Sequence, residues 1–339
     1  MKAAVFRGPG QVELIDVPVP EVGPDEVKVQ VHYCGICGSD LEAYRTGIYE
    51  PGVIIGHEFA GEVASVGERV RTWVEGDRVT ANDAILCGSC LACRRGQPTL
   101  CDHLLMPGVT LHGGMAEYVV LPERALHRLP EAVSTRQGAL VEPLAVALHG
   151  VRRSALRSGD QVLIMGAGTI GLLTLQCALL AGAGKVYVSE MNPAHAALAV
   201  DLGADAVFNP GQNNLAVELA SRTGGEGPAV IFVCTGAAAA IEDAITLVGK
   251  GGQILVLGLD VEPIVADFLT VVLHELDIRG SYLGCEEFPD SLECIAQGRV
   301  EVEALITHEI GLDDVVNRGF KVLESPDAGA VKVLVKLIR

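Results

Sequence analysis

The second half of the chain alternates short apolar runs with stretches of helical periodicity. After Gly150 the runs are VLIM at 162–165, VYVS at 186–189, AVIFV at 229–233 and QILVL at 253–257, and a helical stretch follows each of the first three. Continuous apolar runs are typical of strands that are buried on both faces, as in a parallel sheet covered by helices. The alternation therefore predicts a doubly wound α/β domain.

Residues 1 to about 149 show another pattern. Short β-like runs are broken by Gly, Pro and Asp, and the clearest are Val27–Val31, Glu62–Val66 and Tyr118–Leu121. This pattern predicts an irregular, β-rich domain. Beyond the α/β region we expect a helix near 313–324 and a closing strand at 331–337. A single core stops growing at about 250–300 residues, so a chain of 339 residues fits two domains.

The acidic charge balance excludes two kinds of partner. Lys and Arg number 25 against 43 Asp and Glu, which gives a net charge of −18. A field of that sign repels phosphate backbones and anionic lipids, so we expect neither nucleic acid nor a membrane as a partner. The stretch from Gln161 to Gly184 is uncharged, but its glycines fit a buried strand followed by a buried helix better than a membrane span.

The 10 cysteines point to metal chemistry in a reducing compartment. The N-terminal segment carries charges at Lys2, Arg7, Glu13 and Asp16, so it lacks the apolar core of a signal peptide. We therefore expect a cytoplasmic protein. Clustered thiols there bind metals or do redox chemistry more often than they form disulfides.

A glycine-rich turn joins the first strand of the α/β domain to its helix. The sequence VLIMGAGTIGLL contains the motif GxGxxG at Gly166, Gly168 and Gly171, with Thr169 and Ile170 inside it. The first glycine allows the turn, the second lets backbone approach a pyrophosphate, and the third lets the helix pack on the strand. The helix N-terminus supplies the local positive site that an anionic ligand needs here. We predict a dinucleotide site at this turn.

The end of the next strand selects the dinucleotide. Glu190 closes the run KVYVSE, where a carboxylate accepts hydrogen bonds from the adenosine ribose hydroxyls. It would repel a 2′-phosphate, and residues 191–193 offer no arginine to neutralise one. The sequence therefore predicts NAD rather than NADP.

One loop carries four regularly spaced cysteines, in the order C-x2-C-x2-C-x7-C. They are Cys87, Cys90, Cys93 and Cys101. Four thiolates close a tetrahedral shell around Zn²⁺ and leave no position for substrate, which makes such a site structural. Two disulfides are the alternative, and the expected reducing compartment disfavours them.

A second set of candidate ligands is spread along the first half of the chain and comprises Cys37 in CGICGSD, His57 and Glu58 in GHE, and Glu142 in VEPLA. A thiolate, an imidazole and a carboxylate leave one position open for water or substrate, as catalytic zinc requires. Asp40 is a candidate to orient the His57 ring. Cys34 competes with Cys37 as the thiolate, and spacing alone does not choose between them.

Taken together, the motifs resemble those of one enzyme family. CGICGSD, GHE, the four-cysteine loop, EPLA and GAGTIG, in this order, resemble the zinc-dependent medium-chain alcohol dehydrogenases, especially their polyol, threonine and butanediol dehydrogenase branch. The resemblance spans essentially the whole chain. It implies a Rossmann doubly wound parallel sheet, residues 150–286, inserted into a β-rich GroES-like catalytic domain. That domain would comprise residues 1–149 and the returning segment 287–339. We also expect a homotetramer or homodimer.

The resemblance also implies roles for the site residues. Cys37 matches the family's zinc ligand, and Ser39 matches the hydroxyl that takes the substrate's proton. His57 matches the second ligand, while Glu58 and Glu142 match carboxylates that bind zinc directly or through its water. Two zinc ions per chain are expected, one catalytic and one structural. The catalytic ion would lower the pKa of an alcohol and so make hydride loss to NAD feasible near neutral pH.

Two departures from the family bear on the reaction. Glu42 stands where relatives often have a histidine that passes the proton to solvent, so either Glu42 or water takes that role. The segment SYLGCEEF at 281–288 lacks an arginine that polyol dehydrogenases of this kind often carry there. We therefore expect hydride transfer between NAD(H) and a secondary alcohol, vicinal diol or polyol and its ketone, with the less hydroxylated substrates favoured.

Three other functions are alternatives to this one. L-Threonine 3-dehydrogenase is less favoured because such members tend to have Asp-Pro where Glu142-Pro143 stands. A zinc-independent quinone or enone reductase would not need the metal ligands. An NAD-binding protein without turnover is the third alternative, and a complete ligand set with a relay hydroxyl argues against it.

Overall fold

The computed structural model describes residues 1–258 and 263–338 and divides into two compact units, each with a hydrophobic core of its own. One unit comprises Met1–Ala145, Leu283–Gly298 and the residues from Ile306 onward. The other comprises Val146–Tyr282 and Arg299–Leu305. The chain therefore leaves the first unit, forms most of the second, and returns.

Short strands dominate up to residue 153. The strands are β1 (Lys2–Gly8), β2 (Gln11–Asp16), β3 (Glu26–Gly35), β4 (Glu58–Val66), β5 (Arg78–Ala81), β6 (Tyr118–Pro122) and β7 (Leu126–Arg128). The helices are α1 (Gly38–Thr46), α2 (Leu91–Arg94), α3 (Thr135–Gly138) and α4 (Val141–Arg153). In β3 the alternating residues Val27, Val29 and Val31 are fully buried, which places this strand over the core.

Strands and helices then alternate over most of the remaining chain. The strands are β8 (Gln161–Met165), β9 (Lys185–Ser189), β10 (Ala206–Phe208), β11 (Val230–Val233), β12 (Gln253–Val256), β13 (Asp277–Gly280), β14 (Ile306–Gly311) and β15 (Lys332–Lys336). The helices are α5 (Thr169–Leu180), α6 (Pro193–Asp201), α7 (Leu215–Thr223), α8 (Ala238–Leu247), α9 (Phe268–Leu273), α10 (Phe288–Ala296) and α11 (Lys321–Glu324). The expected helix near 313–324 is a 3₁₀ turn and a π-helix, Val315–Phe320, that lead into α11.

The second unit is built on a parallel sheet with strand order β10-β9-β8-β11-β12-β13. Its central strands β8 and β11 are buried along nearly their whole length, because their residues are apolar on both faces. The prediction of a Rossmann-type parallel sheet with a separate β-rich domain is confirmed.

The first unit is built on a mixed sheet with strand order β14-β15-β3-β4-β5-β7, and β6 also pairs with β3. The closing strand β15 runs antiparallel to β3, with Leu334 opposite Gly35. On the other side of β3, Gly35 lies opposite Glu58 of β4. The end of β3, the start of β4 and β15 therefore meet at one place.

Among the described residues, no helix is both long and apolar enough to cross a membrane.

Candidate metal and dinucleotide sites

The first candidate site lies where β3 leads into α1. Cys37 is the N-cap of α1, and His57 directly precedes β4, whose first residue is Glu58. The pairing of Gly35 with Glu58 brings both segments together, and a side chain at Gly35 would collide with the Glu58 carboxylate. The ligand atoms of Cys37, His57 and Glu58 lie within 4.8 Å of one another. Cys34 is buried and stands outside this set.

Asp40 faces the His57 ring from the first turn of α1. Its Oδ2 accepts a hydrogen bond from the Cys37 N–H at 3.0 Å, and its Oδ1 lies 3.8 Å from His57 Nδ1. Neither of the two atoms that face each other has a hydrogen-bond partner among the described residues. Burial disfavours the charged imidazole, but the Cys37 and Asp40 charges outweigh it and hold the pKa of His57 well above its usual value.

A buried lysine lies behind Glu58 and was not predicted from the sequence. Lys332 of β15 is 2% exposed and donates to both Glu58 oxygens, at 2.7 and 2.6 Å, and to the Ile36 carbonyl at 3.0 Å. Burial alone would lower the pKa of Lys332, yet the Glu58 carboxylate outweighs it and raises the pKa. The buried carboxylate is therefore neutralised by the protein itself.

Glu142 lies in the first turn of α4 and is buried, but it is outside the set of three ligands within 4.8 Å. Burial and the neighbouring Asp83 carboxylate raise its pKa well above the usual value. Asp83 was not singled out from the sequence. It is 2% exposed, and neither of its oxygens receives a hydrogen bond from the described residues.

The donor set fits a zinc ion. A thiol, an imidazole and carboxylates are the ligands that zinc takes, and the ligand atoms of Cys37, His57 and Glu58 lie within 4.8 Å of one another. Glu142 is buried and interacts electrostatically with all three residues, so a divalent cation would offset the cost of burying its charge.

Ser39 lies two residues after Cys37, in the first turn of α1. The Tyr49 hydroxyl lies 3.0 Å from Ser39 Oγ and donates to it. Glu42, on the same helix, is half-buried, and no hydrogen bond links it to Ser39 in the described part of the chain. Tyr49 lies outside every motif and was missed.

The four-cysteine loop brings its thiols together as predicted from the spacing. The four sulfurs lie within 4.8 Å of one another, and Cys90 Sγ is 3.4 Å from Cys93 Sγ. That separation exceeds the roughly 2.05 Å of a disulfide, so the thiols are free. The backbone N–H groups of Ser89 and Cys90 donate to Cys87 Sγ and lower its pKa to about 6. Four such sulfurs fit a closed tetrahedral zinc site.

The glycine-rich turn follows β8 and leads into α5. Gly166 has φ +94°, which favours glycine, and a side chain at Gly171 would collide with the Gly166 carbonyl. Gly168 is the N-cap, and space is open where its side chain would be, while Thr169 and Ile170 begin the helix. A pyrophosphate fits against that open backbone and the helix N-terminus.

Glu190 lies directly after β9, next to this turn. Its carboxylate accepts backbone N–H bonds from Ala167 at 2.6 Å and from Asn192 at 2.7 Å. Each carboxylate oxygen has a further lone pair, so the group remains an acceptor for ribose hydroxyls. The residues predicted to bind the dinucleotide are thus adjacent in the second unit.

Comparison with known proteins relates both sites to one family. The model of the alcohol dehydrogenase GroES-like domain matches residues 23–131, and the model of the zinc-binding dehydrogenase domain matches residues 169–297. An L-threonine 3-dehydrogenase of Rhizobium rhizogenes (strain K84 / ATCC BAA-868) is 36% identical over 322 residues, which cover 93% of this chain and 92% of that protein. Sorbitol dehydrogenase of Bacillus subtilis (strain 168) is 32% identical over 326 residues, with coverages of 92% and 91%.

A solved structure agrees with this relationship. The crystal structure of 2R,3R-butanediol dehydrogenase from Bacillus subtilis has a TM-score of 0.91 to this chain at 32% identity, and 99% of each chain is covered.

Proposed function

Because the chain belongs to the zinc-dependent medium-chain alcohol dehydrogenase family, we propose that Cys37, His57, Glu58 and Glu142 hold its catalytic zinc, directly or through the zinc's water. The protein is a zinc oxidoreductase that acts on alcohols or polyols with NAD(P). The donor set of half-buried Cys37 with buried His57 and Glu58, whose ligand atoms lie within 4.8 Å of one another, carries the proposal. When bound, the zinc ion supplies Lewis-acid polarisation of the substrate oxygen, and the nicotinamide accepts the hydride.

Lys332 determines the net charge with which the site would bind a metal ion. Its ammonium group balances the Glu58 carboxylate at 2.6 Å inside a buried site. The Cys37 thiolate and the Glu142 carboxylate are then left to balance a divalent cation. Asp40 faces His57 Nδ1 at 3.8 Å, so the other ring nitrogen is left for the metal.

Ser39 takes the proton of the alcohol in the oxidation direction and returns it in the reduction direction. Its place two residues after Cys37 on α1, with its hydroxyl already hydrogen-bonded, supports this role.

Replacing the proposed ligands tests the function. We expect Cys37→Ala and His57→Ala to lose NAD-dependent oxidation of every alcohol tested and to lose one bound zinc, while the fold is kept. Cys34→Ala removes a neighbouring buried thiol outside the ligand set and serves as the matched control. Metal analysis and NAD reduction are measured on the same preparations. Undiminished turnover in Cys37→Ala or His57→Ala would refute the assignment.

A second zinc is proposed for the four-cysteine loop. Four free sulfurs within 4.8 Å, one of them with a pKa lowered to about 6, support a site that holds its ion at neutral pH and leaves no open position. A reducing compartment such as the cytoplasm would keep these thiols available.

NAD is the proposed cofactor rather than NADP. The Glu190 carboxylate is fixed by two backbone N–H bonds beside the glycine-rich turn, where it would repel a 2′-phosphate.

The proposed substrate is a secondary alcohol or vicinal diol. The loop that follows the last strand of the second unit contributes the apolar Leu283 and Cys285, which pack near Ala84, and the Cys285 carbonyl accepts from the Asn82 amide at 2.8 Å. The same loop, SYLGCEEF at 281–288, carries no arginine, and fewer hydrogen-bond donors favour a less hydroxylated substrate. L-Threonine is the second candidate because of the 36% identity to a threonine dehydrogenase. A screen of NAD reduction over diols, polyols, L-threonine and simple secondary alcohols distinguishes them.

A homodimer or homotetramer is proposed as the assembly. Helix α9 exposes Phe268, Leu269, Val272 and Leu273, each at 67–71%, and β13 is an edge strand of the same unit. Apolar clusters of this kind mark interaction sites, and a second copy would cover both the helix and the strand edge. Light scattering coupled to gel filtration tests the assembly, with Leu269→Asp expected to weaken it.

A further inference from the structure

Tyr49 places a buried hydroxyl beside the proton-transfer group. The residue lies between α1 and β4, is 6% exposed, and packs edge-on against Phe6 with ring centroids 6.2 Å apart. Its Oη lies 3.0 Å from Ser39 Oγ. The ring is therefore fixed by packing, and its hydroxyl donates to Ser39, with the Asp40 carboxyl also close to it.

We propose that Tyr49 is a positioning residue for proton transfer: its hydroxyl donates to Ser39 Oγ and fixes the orientation of that oxygen. The inference rests on the proposed role of Ser39. A serine hydroxyl has one proton and two acceptor lone pairs. With one lone pair held by Tyr49, the other lone pair and the proton point in defined directions, whereas a free hydroxyl would rotate.

The proton balance leaves Tyr49 unchanged. In alcohol oxidation the substrate O–H bond breaks and its proton moves to the free lone pair of Ser39, while Ser39 releases its own proton to water. Tyr49 keeps its proton throughout. Burial, together with the nearby Asp40 and Cys37 charges, raises the pKa of the phenol, so it stays a donor at every pH at which the enzyme works.

Glu42 does not supply this contact. It is half-buried on α1, and its backbone carbonyl accepts from Thr46 Oγ1 at 2.8 Å. Its carboxylate makes no hydrogen bond to Ser39 within the residues the structure describes. The side chain that holds Ser39 is thus supplied by the loop after the helix.

A double-mutant cycle tests the inference. We expect Tyr49→Phe, which removes only the hydroxyl, to lower kcat about ten-fold, equivalent to about 1.4 kcal/mol, the size expected for one hydrogen bond. KM should change little, because the contact positions a group and does not bind substrate. In a Ser39→Ala background the same substitution should have no further effect, since the oxygen that it positions is gone.

Tyr187→Phe is the matched control. Tyr187 is 4% exposed, and its hydroxyl also donates a 3.0 Å hydrogen bond, to Gln161 in the second unit. It should lower thermal stability as much as Tyr49→Phe and leave kcat unchanged. Bound zinc should stay equal in all variants.

A spectroscopic readout is independent of turnover. The Raman doublet of tyrosine reports whether the phenol donates a hydrogen bond, so the difference spectrum between wild type and Ser39→Ala should show one tyrosine losing an acceptor. The same difference should be absent when both proteins carry Tyr49→Phe.

The outcomes separate this inference from the function on which it rests. Unchanged kcat in Ser39→Ala would refute the proposed role of Ser39 and the inference with it. Impaired Ser39→Ala with normal kcat in Tyr49→Phe, or an equal loss from Tyr49→Phe in both backgrounds, would overturn the inference alone. Zinc loss in Tyr49→Phe would also overturn it, because the effect would then come from the metal site.

Discussion

Replacing Lys332 by methionine should destabilise the first unit more than any exposed charge reversal would. The substitution keeps most of the side-chain volume and removes only the ammonium group. That group now makes three hydrogen bonds, two to Glu58 and one to the Ile36 carbonyl. Since Glu58 is 1% exposed, its carboxylate would be left charged and unpaired in the interior.

The magnitude follows from the cost of that lone charge. Removing one partner of a buried ion pair costs about 3–5 kcal/mol. The entropy of unfolding is about 2.1 cal/mol/K per residue, or roughly 0.7 kcal/mol/K for a chain of this length that unfolds in a single transition. The midpoint of thermal unfolding should therefore fall by about 4–7 °C.

Differential scanning fluorimetry of zinc-stripped protein measures this shift, because a bound zinc ion would itself interact with Glu58. Lys336→Met is the matched control, because Lys336 lies on the same strand, β15, but is exposed, and its midpoint should stay within about 1 °C of wild type. The double variant Lys332→Met/Glu58→Gln removes both charges and should recover at least half of the loss. Equal midpoints for Lys332→Met and Lys336→Met would show that the buried pair contributes nothing to stability.

Four further outcomes are expected at other sites. Glu190→Gln should narrow the preference for NAD over NADP in titration calorimetry, because the repulsion of a 2′-phosphate is removed; an unchanged ratio of affinities contradicts the cofactor assignment. Cys101→Ser should lose one zinc per chain and lower the thermal midpoint, whereas a variant that retains both ions disproves a tetrahedral site in this loop. In zinc-stripped protein the rate of Cys87 alkylation, measured by mass spectrometry, should be half-maximal at pH about 6, whereas an ordinary thiol has a pKa of 9.0. Burial raises the pKa of both Asp83 and Glu142 in the folded state, so zinc-stripped protein should lose stability as the pH rises above about 4.5. Asp83→Asn should flatten this decline, and curves of stability against pH that run parallel for wild type and Asp83→Asn would contradict the electrostatic interaction of the two carboxyls.

Buried strands were predictable from the sequence, and edge strands were not. The runs at 162–165 and 186–189 match β8 and β9 within one residue, because both strands are covered on two faces and so must be apolar throughout. β10 and β13 lie at the two edges of the same sheet and have only 3 and 4 residues. β10 is apolar but too short to form a recognisable run, and β13 is polar and mostly exposed, so neither strand carries a continuous apolar signal.

The candidate ligands stand in motifs that the sequence shows, whereas the buried residues that surround them do not. Cys37, His57 and Glu58 belong to short recognisable segments, and the pairing of β3 with β4 explains why these segments meet. Asp83 and Tyr49 stand in connecting segments without a motif. They reach the site through tertiary packing, which a local pattern does not encode.

The burial of Lys332 follows from the pairing register of β15 with β3 and not from the sequence pattern of β15. Lys332 and Lys336 are four residues apart on β15, so strand periodicity puts them on the same face and gives no reason to separate them. The pairing with β3 does separate them. Lys336 lies opposite Tyr33 and Leu334 opposite Gly35, so Lys332 extends past the end of β3, where the chain turns toward Cys37. There Lys332 contacts the Glu58 carboxylate, because β4 pairs with β3 on its other side and places Glu58 opposite Gly35. A buried lysine in an apolar strand requires a buried carboxylate, so once the order β15-β3-β4 is known, Glu58 is the partner that this rule selects.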